Sequence, residues 1–171
     1  KDVLKKLKTL GIKKTVMMTG DNHYTAEAIA KDVGVDKFYA EVLPEDKASY
    51  VEKEKAKGRT VIMIGDGIND SPALSAADCG IAISEGAAIA REIADVCISA
   101  DDLNELVKLK ELSNMLKKRV DSNFRFIMGF NGALIGLGIF GMVAPATSSL
   151  LHNLSTVGIS LSSMTNLMPE N

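Results

Sequence analysis

Along the first two thirds of the chain, short apolar runs alternate with longer segments of helical periodicity. Lys1 to Leu10 reads as a helix stopped by Gly11, and Lys14-Thr15-Val16-Met17-Met18 as a buried strand. Tyr24 to Val33 reads as a helix ended by Gly34, and Phe38-Tyr39-Ala40 as a short strand. Pro44 opens a charged helix that runs to Lys57 and closes at Gly58, with proline in its first turn. The run Val61-Ile62-Met63-Ile64 reads as a strand and leads through a polar loop into a helix near Ser71 to Ala77. Gly80-Ile81-Ala82-Ile83 and Val96-Cys97-Ile98 read as strands on either side of a helix over Ala87 to Ala94, and Leu103 to about Val120 as a long helix. Such alternation predicts the α/β class, with a parallel, Rossmann-like sheet covered by helices. Ligands of these sheets sit beyond the carboxyl ends of the strands. The loops Thr19-Gly20-Asp21-Asn22 and Gly65 to Asp70 both fall there.

After Arg125 the pattern changes. No Asp, Glu, Lys or Arg occurs from Phe126 to Pro169, and every Lys and Arg lies at or before Arg125. Phe126 to Ala144 is 19 uncharged residues, enough as a helix for roughly 28 Å of a hydrocarbon core about 30 Å thick. Ala144-Pro145-Ala146 breaks the run, and Thr147 to Met168 supplies a second uncharged stretch rich in Ser, Thr, His and Asn, whose polar positions must face other helices. Gly129, Gly132, Gly136, Gly138 and Gly141 suit close helix packing in a bilayer. The expectation is a transmembrane hairpin, about 126–144 and 147–168; a soluble helical hairpin in a large core competes with it. Lys117, Lys118, Arg119 and Arg125 precede the hairpin, which by the positive-inside rule puts residues 1–122 and the C-terminus in the cytoplasm.

Charge and cysteine change this picture little. A net charge of −2 gives no electrostatic footprint for nucleic acid. Cys79 and Cys97 match no CxxC pattern and read as reduced, buried thiols. Lys at position 1 leads us to expect a piece of a longer chain.

The two polar loops carry what phosphoryl transfer requires: donors for phosphoryl oxygens, and carboxylates for a cation that neutralises developing charge. Asp66, straight after a strand, could bind Mg²⁺ directly, and Asp70 could complete its shell, since Mg²⁺ prefers hard oxygens. Asp70 could instead simply cap the next helix. Gly65 and Gly67 let the backbone turn tightly and approach an ion, and Asn69 offers an amide donor. Thr19 and the N–H groups near Gly20 could hold a phosphoryl oxygen. Lys47 sits in the first turn of a helix, where a cation opposes the macrodipole, so an anionic partner is expected; a solvated surface lysine is the alternative.

Thr19-Gly20-Asp21, Pro44-Glu45-Asp46-Lys47 and Gly65-Asp66-Gly67-Ile68-Asn69-Asp70-Ser71-Pro72-Ala73-Leu74, in this order, resemble the second, third and fourth motifs of the haloacid dehalogenase superfamily. More narrowly they resemble the phosphorylation domain of P-type ATPases. That resemblance implies that Thr19 and Lys47 contact the phosphoryl group, Asp66 and Asp70 hold Mg²⁺, Asn69 hydrogen-bonds the phosphate, and Asp21 lies at the rim where an actuator domain docks. It implies ATP as substrate, with upstream actuator, nucleotide-binding and transmembrane parts as partners. The family phosphorylates an aspartate in a DKTGT motif, which occurs nowhere in these 171 residues. The chain alone is therefore expected to be inactive.

A single hairpin after this domain resembles the heavy-metal subgroup of these pumps, an integral protein of the plasma membrane moving a transition-metal cation. Phe130-Asn131 falls where copper pumps carry Tyr-Asn. His152-Asn153-Leu154-Ser155-Thr156 falls where copper pumps carry a Met-x-x-Ser-Ser pattern and zinc pumps His-Asp-Gly-Ser-Thr. Asn131, His152, Asn153 and Ser155 are thus candidate transport-path residues, although intramembrane Asn and Ser also serve simply to join helices. Loss of the methionine argues against Cu(I), which favours soft ligands. Two other readings remain at this point: an inactive membrane-anchored regulatory or binding module, and a phosphatase of the same superfamily.

Overall fold

The computed structural model describes residues 2–66, 69–83, 92–98 and 103–167, so Gly67, Ile68 and most of the helix expected over Ala87 to Ala94 lie outside the described residues. The chain divides into two compact units, Lys1–Lys108 and Leu109–Asn171. In the first, β1 (Val16–Met18), β2 (Lys37–Tyr39), β3 (Ile62–Gly65), β4 (Cys79–Ile83) and β5 (Val96–Ile98) alternate with α1 (Asp2–Thr9), α2 (His23–Val33), α3 (Pro44–Ala56) and α4 (Ser71–Ala76). All pairing is parallel. β1 lies beside β2 with Met17 opposite Phe38, and β3, β4 and β5 form a second sheet in that order with Met63 opposite Gly80.

The core is built from α3, β3 and α4. Val51, Met63, Ala73 and Leu74 are buried together, and Met18 of β1 packs on the same cluster. Full burial of side chains the size of Val51 and Leu74 contributes about 1.5–3 kcal/mol each. β1 and β3 each have a strand partner on one edge only among the described residues.

An aspartate stands immediately before three of the five strands. Asp36, ahead of β2, accepts from the N–H of Thr15 at 2.8 Å and from its hydroxyl at 2.8 Å. Asp78, ahead of β4, accepts from the N–H of Val61 at 2.8 Å, and Asp95, ahead of β5, from that of Gly80 at 2.8 Å. Each ties the start of one strand to its neighbour, at the end of the sheet opposite the two polar loops. Lys8 and the Thr15 donors hold the Asp36 carboxyl at about 2. Beyond α3, Lys57 and Arg59 hold Glu54 at about 2 as well.

Both folded values lie below the unfolded ones, about 3.9 for Asp and 4.3 for Glu. The stabilisation is therefore present above about pH 4.5 and is lost as protons bind between there and about pH 2. The thermal midpoint, followed by circular dichroism in detergent, is expected to stay level from pH 7 to about 5 and then fall. Asp36→Asn should flatten part of that fall; an unchanged acid profile would remove Asp36 from this account.

In the second unit, the long helix expected to end near Val120 continues instead. α5 spans Asn104–Ile139 without a break, with Leu106 and Val107 buried at its start in the first unit. Asp121-Ser122-Asn123-Phe124-Arg125 contains neither Gly nor Pro, and a change from charged to uncharged sequence is no stop signal. α5 ends where Gly141 takes φ 68° and the N–H of Met142 donates to Leu137 O at 2.9 Å. α6 spans Pro145–Ser163.

The hairpin is thus present, but its helices differ from the expected spans of 126–144 and 147–168. Among the described residues, no helix is long and apolar enough to cross a membrane. Beyond Arg125, α5 retains helix only to Ile139, about 21 Å at 1.5 Å per residue. In α6, polar residues interrupt the apolar ones almost every turn. Arg119 closes the end of the hairpin. Its Nη1 donates to Ser163 O at 3.1 Å and Thr165 O at 2.7 Å, and its Nη2 to Asn166 O at 3.3 Å, supplying donors to carbonyls that a helix C-terminus leaves without intrahelical partners.

Candidate functional site

Thr19 follows β1, and its N–H donates to Tyr39 O at 3.1 Å, so the ends of β1 and β2 are joined where the loops begin. The Thr19 hydroxyl donates to Asp21 Oδ2 at 2.7 Å and accepts from the Asp21 N–H at 3.2 Å. Asn22 then caps α2, its Oδ1 accepting from the N–H of Thr25 at 3.0 Å. The loop after β2 is laced to this turn. Val42 N–H donates to Thr19 O at 3.0 Å and Glu41 N–H to Asp21 O at 2.9 Å. Glu41 takes φ 54°, the one positive value outside glycine among the described residues, a conformation that costs about 1–2 kcal/mol. No sequence signal marks it, since neither Glu nor its neighbours favour that region.

A Cβ on Gly20 would meet nothing nearer than Val42 O at 3.9 Å. Packing among the described residues does not demand glycine there.

Lys47 has the anionic partner expected for it, and that partner is Asp70. Nζ donates to Asp70 Oδ1 at 2.7 Å, each side chain 13% exposed. The bond joins the start of α3 to the loop after β3, so the second and third of these polar segments meet. Asp70 precedes α4 but makes no capping bond with its side chain. Its carboxylate lies against the end of β3 instead, where a Cβ on Gly65 would stand 2.4 Å from Asp70 Oδ2 and 2.7 Å from Asp70 Cβ. Gly65 is therefore required by the approach of Asp70 as well as by any ion. Asp66 and Asn69 are exposed in the same loop.

The hard carboxylate oxygens of Asp66 and Asp70 suit Mg²⁺ in kind, and the missing Cβ at Gly65 gives one of them its place beside the strand end. Among the described residues, no three His, Cys, Asp or Glu side chains gather to hold a metal ion by themselves.

In the hairpin, three of the four candidate residues are linked. His152 Nδ1 lies 2.9 Å from Asn131 Oδ1. Ser155 Oγ donates to the carbonyl of His152 at 2.7 Å, and Asn153 is exposed. The free cysteines differ in setting, Cys79 half-buried and Cys97 exposed. Neither is the buried thiol expected from the sequence, although partial burial pushes the Cys79 thiol up.

Residues 1–78 match a haloacid dehalogenase-like hydrolase family, and residues 48–109 match a second family of the same description. Over 92% of its length the chain is 40% identical to the manganese-exporting P-type ATPase of Mycobacterium leprae, of which it covers 22%. Over 93% it is 40% identical to the copper-exporting P-type ATPase of Bacillus subtilis, covering 20%. A crystal structure of a zinc-transporting PIB-type ATPase matches 95% of the chain with a TM-score of 0.86 and 34% identity, over 26% of that protein. The chain spans about a fifth of the length of the curated relatives it matches.

Proposed function

We propose that this chain, which belongs to the heavy-metal P-type ATPases of the haloacid dehalogenase-like superfamily, acts as the C-terminal part of an ATP-driven transition-metal cation transporter. Residues 1–122 supply one half of its phosphorylation site and residues 123–171 part of its membrane ion path. The observation that carries the proposal is the Lys47–Asp70 bond at 2.7 Å, which draws two of the three motifs together. In this reading Thr19, Gly20, Lys47 and Asn69 receive the phosphoryl oxygens, and Asp21 marks the rim of the site. Asp66 and Asp70 hold Mg²⁺, which when bound offsets phosphoryl charge.

The donors are already committed to neighbouring carboxylates: Thr19 to Asp21, Lys47 to Asp70. An arriving phosphoryl group has only to compete with carboxylates of the same site for them. The one-sided edges of β1 and β3 support the same reading. Met18 and Met63 share a core cluster, so the two edges are near neighbours. A parallel strand laid between them would complete both ladders and deliver a residue at its carboxyl end between Thr19 and Asp66. The phosphorylatable aspartate of a complete pump fits that place.

For the hairpin, the membrane reading rests on what the helices expose. Ile135, Ile139, Phe140, Leu161 and Met164, spread over both ends of the hairpin, are each more than 60% exposed, apolar surface that lipid or further helices of a pump would cover. Residues 1–122 would then face the cytoplasm. The relatives' names carry manganese, copper and zinc at nearly equal identity, so overall similarity does not select the metal.

The chain alone, given labelled ATP and Mg²⁺, is expected to form no acid-stable phosphoenzyme. The same residues continued upstream through a nucleotide-binding domain and DKTGT are expected to form one. Phosphorylation of the chain alone, or none in the longer protein, would overturn the proposal.

A further inference from the structure

Two consecutive N–H groups hold the turn after β1 from the β2 side. That of Glu41 donates to Asp21 O at 2.9 Å and that of Val42 to Thr19 O at 3.0 Å. Along extended backbone, successive N–H groups face opposite ways; with φ 54° at Glu41, both reach the same turn. A side chain resists that value where glycine does not, and strain of this kind gathers at functional sites, where the surrounding structure enforces it. Thr19 O and Gly20 N–H belong to one peptide group, which is planar and trans, so the two point in opposite directions. With Thr19 O drawn toward Val42, Gly20 N–H turns away from the β2 loop, toward the edge of β1 that has no strand partner among the described residues. Among those residues Gly20 N–H has no hydrogen-bond partner.

We infer that Glu41 is a positioning residue for phosphoryl transfer: its left-handed backbone, acting through the Val42 N–H, fixes the Thr19–Gly20 peptide so that a donor and not a carbonyl oxygen meets the phosphoryl group. This rests on the proposed place of Thr19 and Gly20 at the phosphoryl oxygens. Glycine accepts either sign of φ, so the peptide ahead of Gly20 flips at little cost unless something holds it. A flipped peptide would set its oxygen against the phosphoryl oxygens, replacing attraction by repulsion. The Val42 bond opposes the flip, and the turn at Glu41 is what brings Val42 N–H to Thr19 O. The exposed carboxylate of Glu41 takes no part in this; the conformation of its backbone does.

The test uses the longer protein that carries DKTGT and the nucleotide-binding domain, and reads the rate of acid-stable phosphoenzyme formation in a single turnover, with its dependence on ATP. Glu41→Val, β-branched and hence the least tolerant of positive φ, is expected to slow the step about tenfold or more, part of the roughly hundredfold loss that follows deletion of one such donor. The ATP concentration for half-maximal rate should stay where it is, since the turn does not hold the nucleotide base. Glu41→Gly and Glu41→Gln, which keep the conformation and discard the charge, should restore the parent rate. Should Glu41→Val fail to fold, the α-hydroxy acid counterpart of valine, placed at position 42 by nonsense suppression, deletes that N–H alone and should slow the step in the same sense. A parent rate in either of these two proteins, or a Glu41→Gln as slow as Glu41→Val, would overturn the positioning role while leaving the phosphorylation site in place. A parent protein that forms no phosphoenzyme would overturn the proposed function, and this inference with it.

Discussion

Asp66→Asn, made in a protein that also carries the upstream phosphorylatable aspartate, is expected to lower Mg²⁺-dependent phosphoenzyme by a hundredfold or more, about 2.7 kcal/mol of transition-state stabilisation. The substitution exchanges a carboxylate for an amide of the same shape at the exposed end of β3. Packing should therefore survive, and what is lost is one negative charge and one hard anionic oxygen. Mg²⁺ is bound through few carboxylates and keeps its remaining water, so each carboxylate counts heavily. The measurement is acid-stable incorporation of label from ATP over a range of Mg²⁺, beside a circular dichroism control for folding. Phosphoenzyme at the parent level would place the ion elsewhere.

Gly65→Ala is expected to destabilise the first unit and to disturb the Lys47–Asp70 pair. The new Cβ would stand 2.4 Å from Asp70 Oδ2, 2.7 Å from Asp70 Cβ and 2.9 Å from Asp70 Cγ. A long side chain could swing its tip away, but here the Cβ itself is in contact and the carboxylate is tied to Lys47. Either the end of β3 shifts or Asp70 leaves Lys47, whose ammonium would then stay largely buried without that counter-ion. Overpacking of this kind costs about 1–3 kcal/mol, which for a chain of this size lowers the thermal midpoint by about 2–4 °C per kcal/mol. Gly20→Ala is the matched control. Its nearest neighbour is at 3.9 Å, so stability should change by less than about 0.5 kcal/mol. Equal midpoints for the two variants would refute the packing argument at Gly65.

The strands were legible in the sequence because each is a short apolar run bounded by turn residues; β5 was read to the residue and the others to within two at either end. The helix over Leu103 to Val120 was read too short. Its continuation depends on the absence of a breaker, a weaker signal than the presence of one. The two loops could be identified from composition, since few contexts place two glycines, two carboxylates and an amide after a strand. Which groups would touch was not legible. Lys47 and Asp70 are 23 residues apart, and only the packing of α3 against α4 brings them together. The strand-start aspartates had a readable signal, Asp immediately ahead of an apolar run at 36, 78 and 95, but nothing in the sequence named the N–H groups they hold. Arg119 was read as one charge of a basic cluster, and its bonds to Ser163, Thr165 and Asn166 depend on where α6 ends.

Those strand-start aspartates also bear on how a longer protein could assemble. Each spans a modest loop, Thr15 to Asp36, Val61 to Asp78 and Gly80 to Asp95, and none crosses between the β1–β2 pair and the β3–β5 sheet. Each of these three bonds latches one half to itself, and none of them joins the two halves. A strand from a remote part of the sequence can enter between them at a spacing of about 4.8 Å per neighbour while every latch stays closed. Sequence neighbours can thus fold first, leaving the centre of the sheet for a segment made much earlier in the chain.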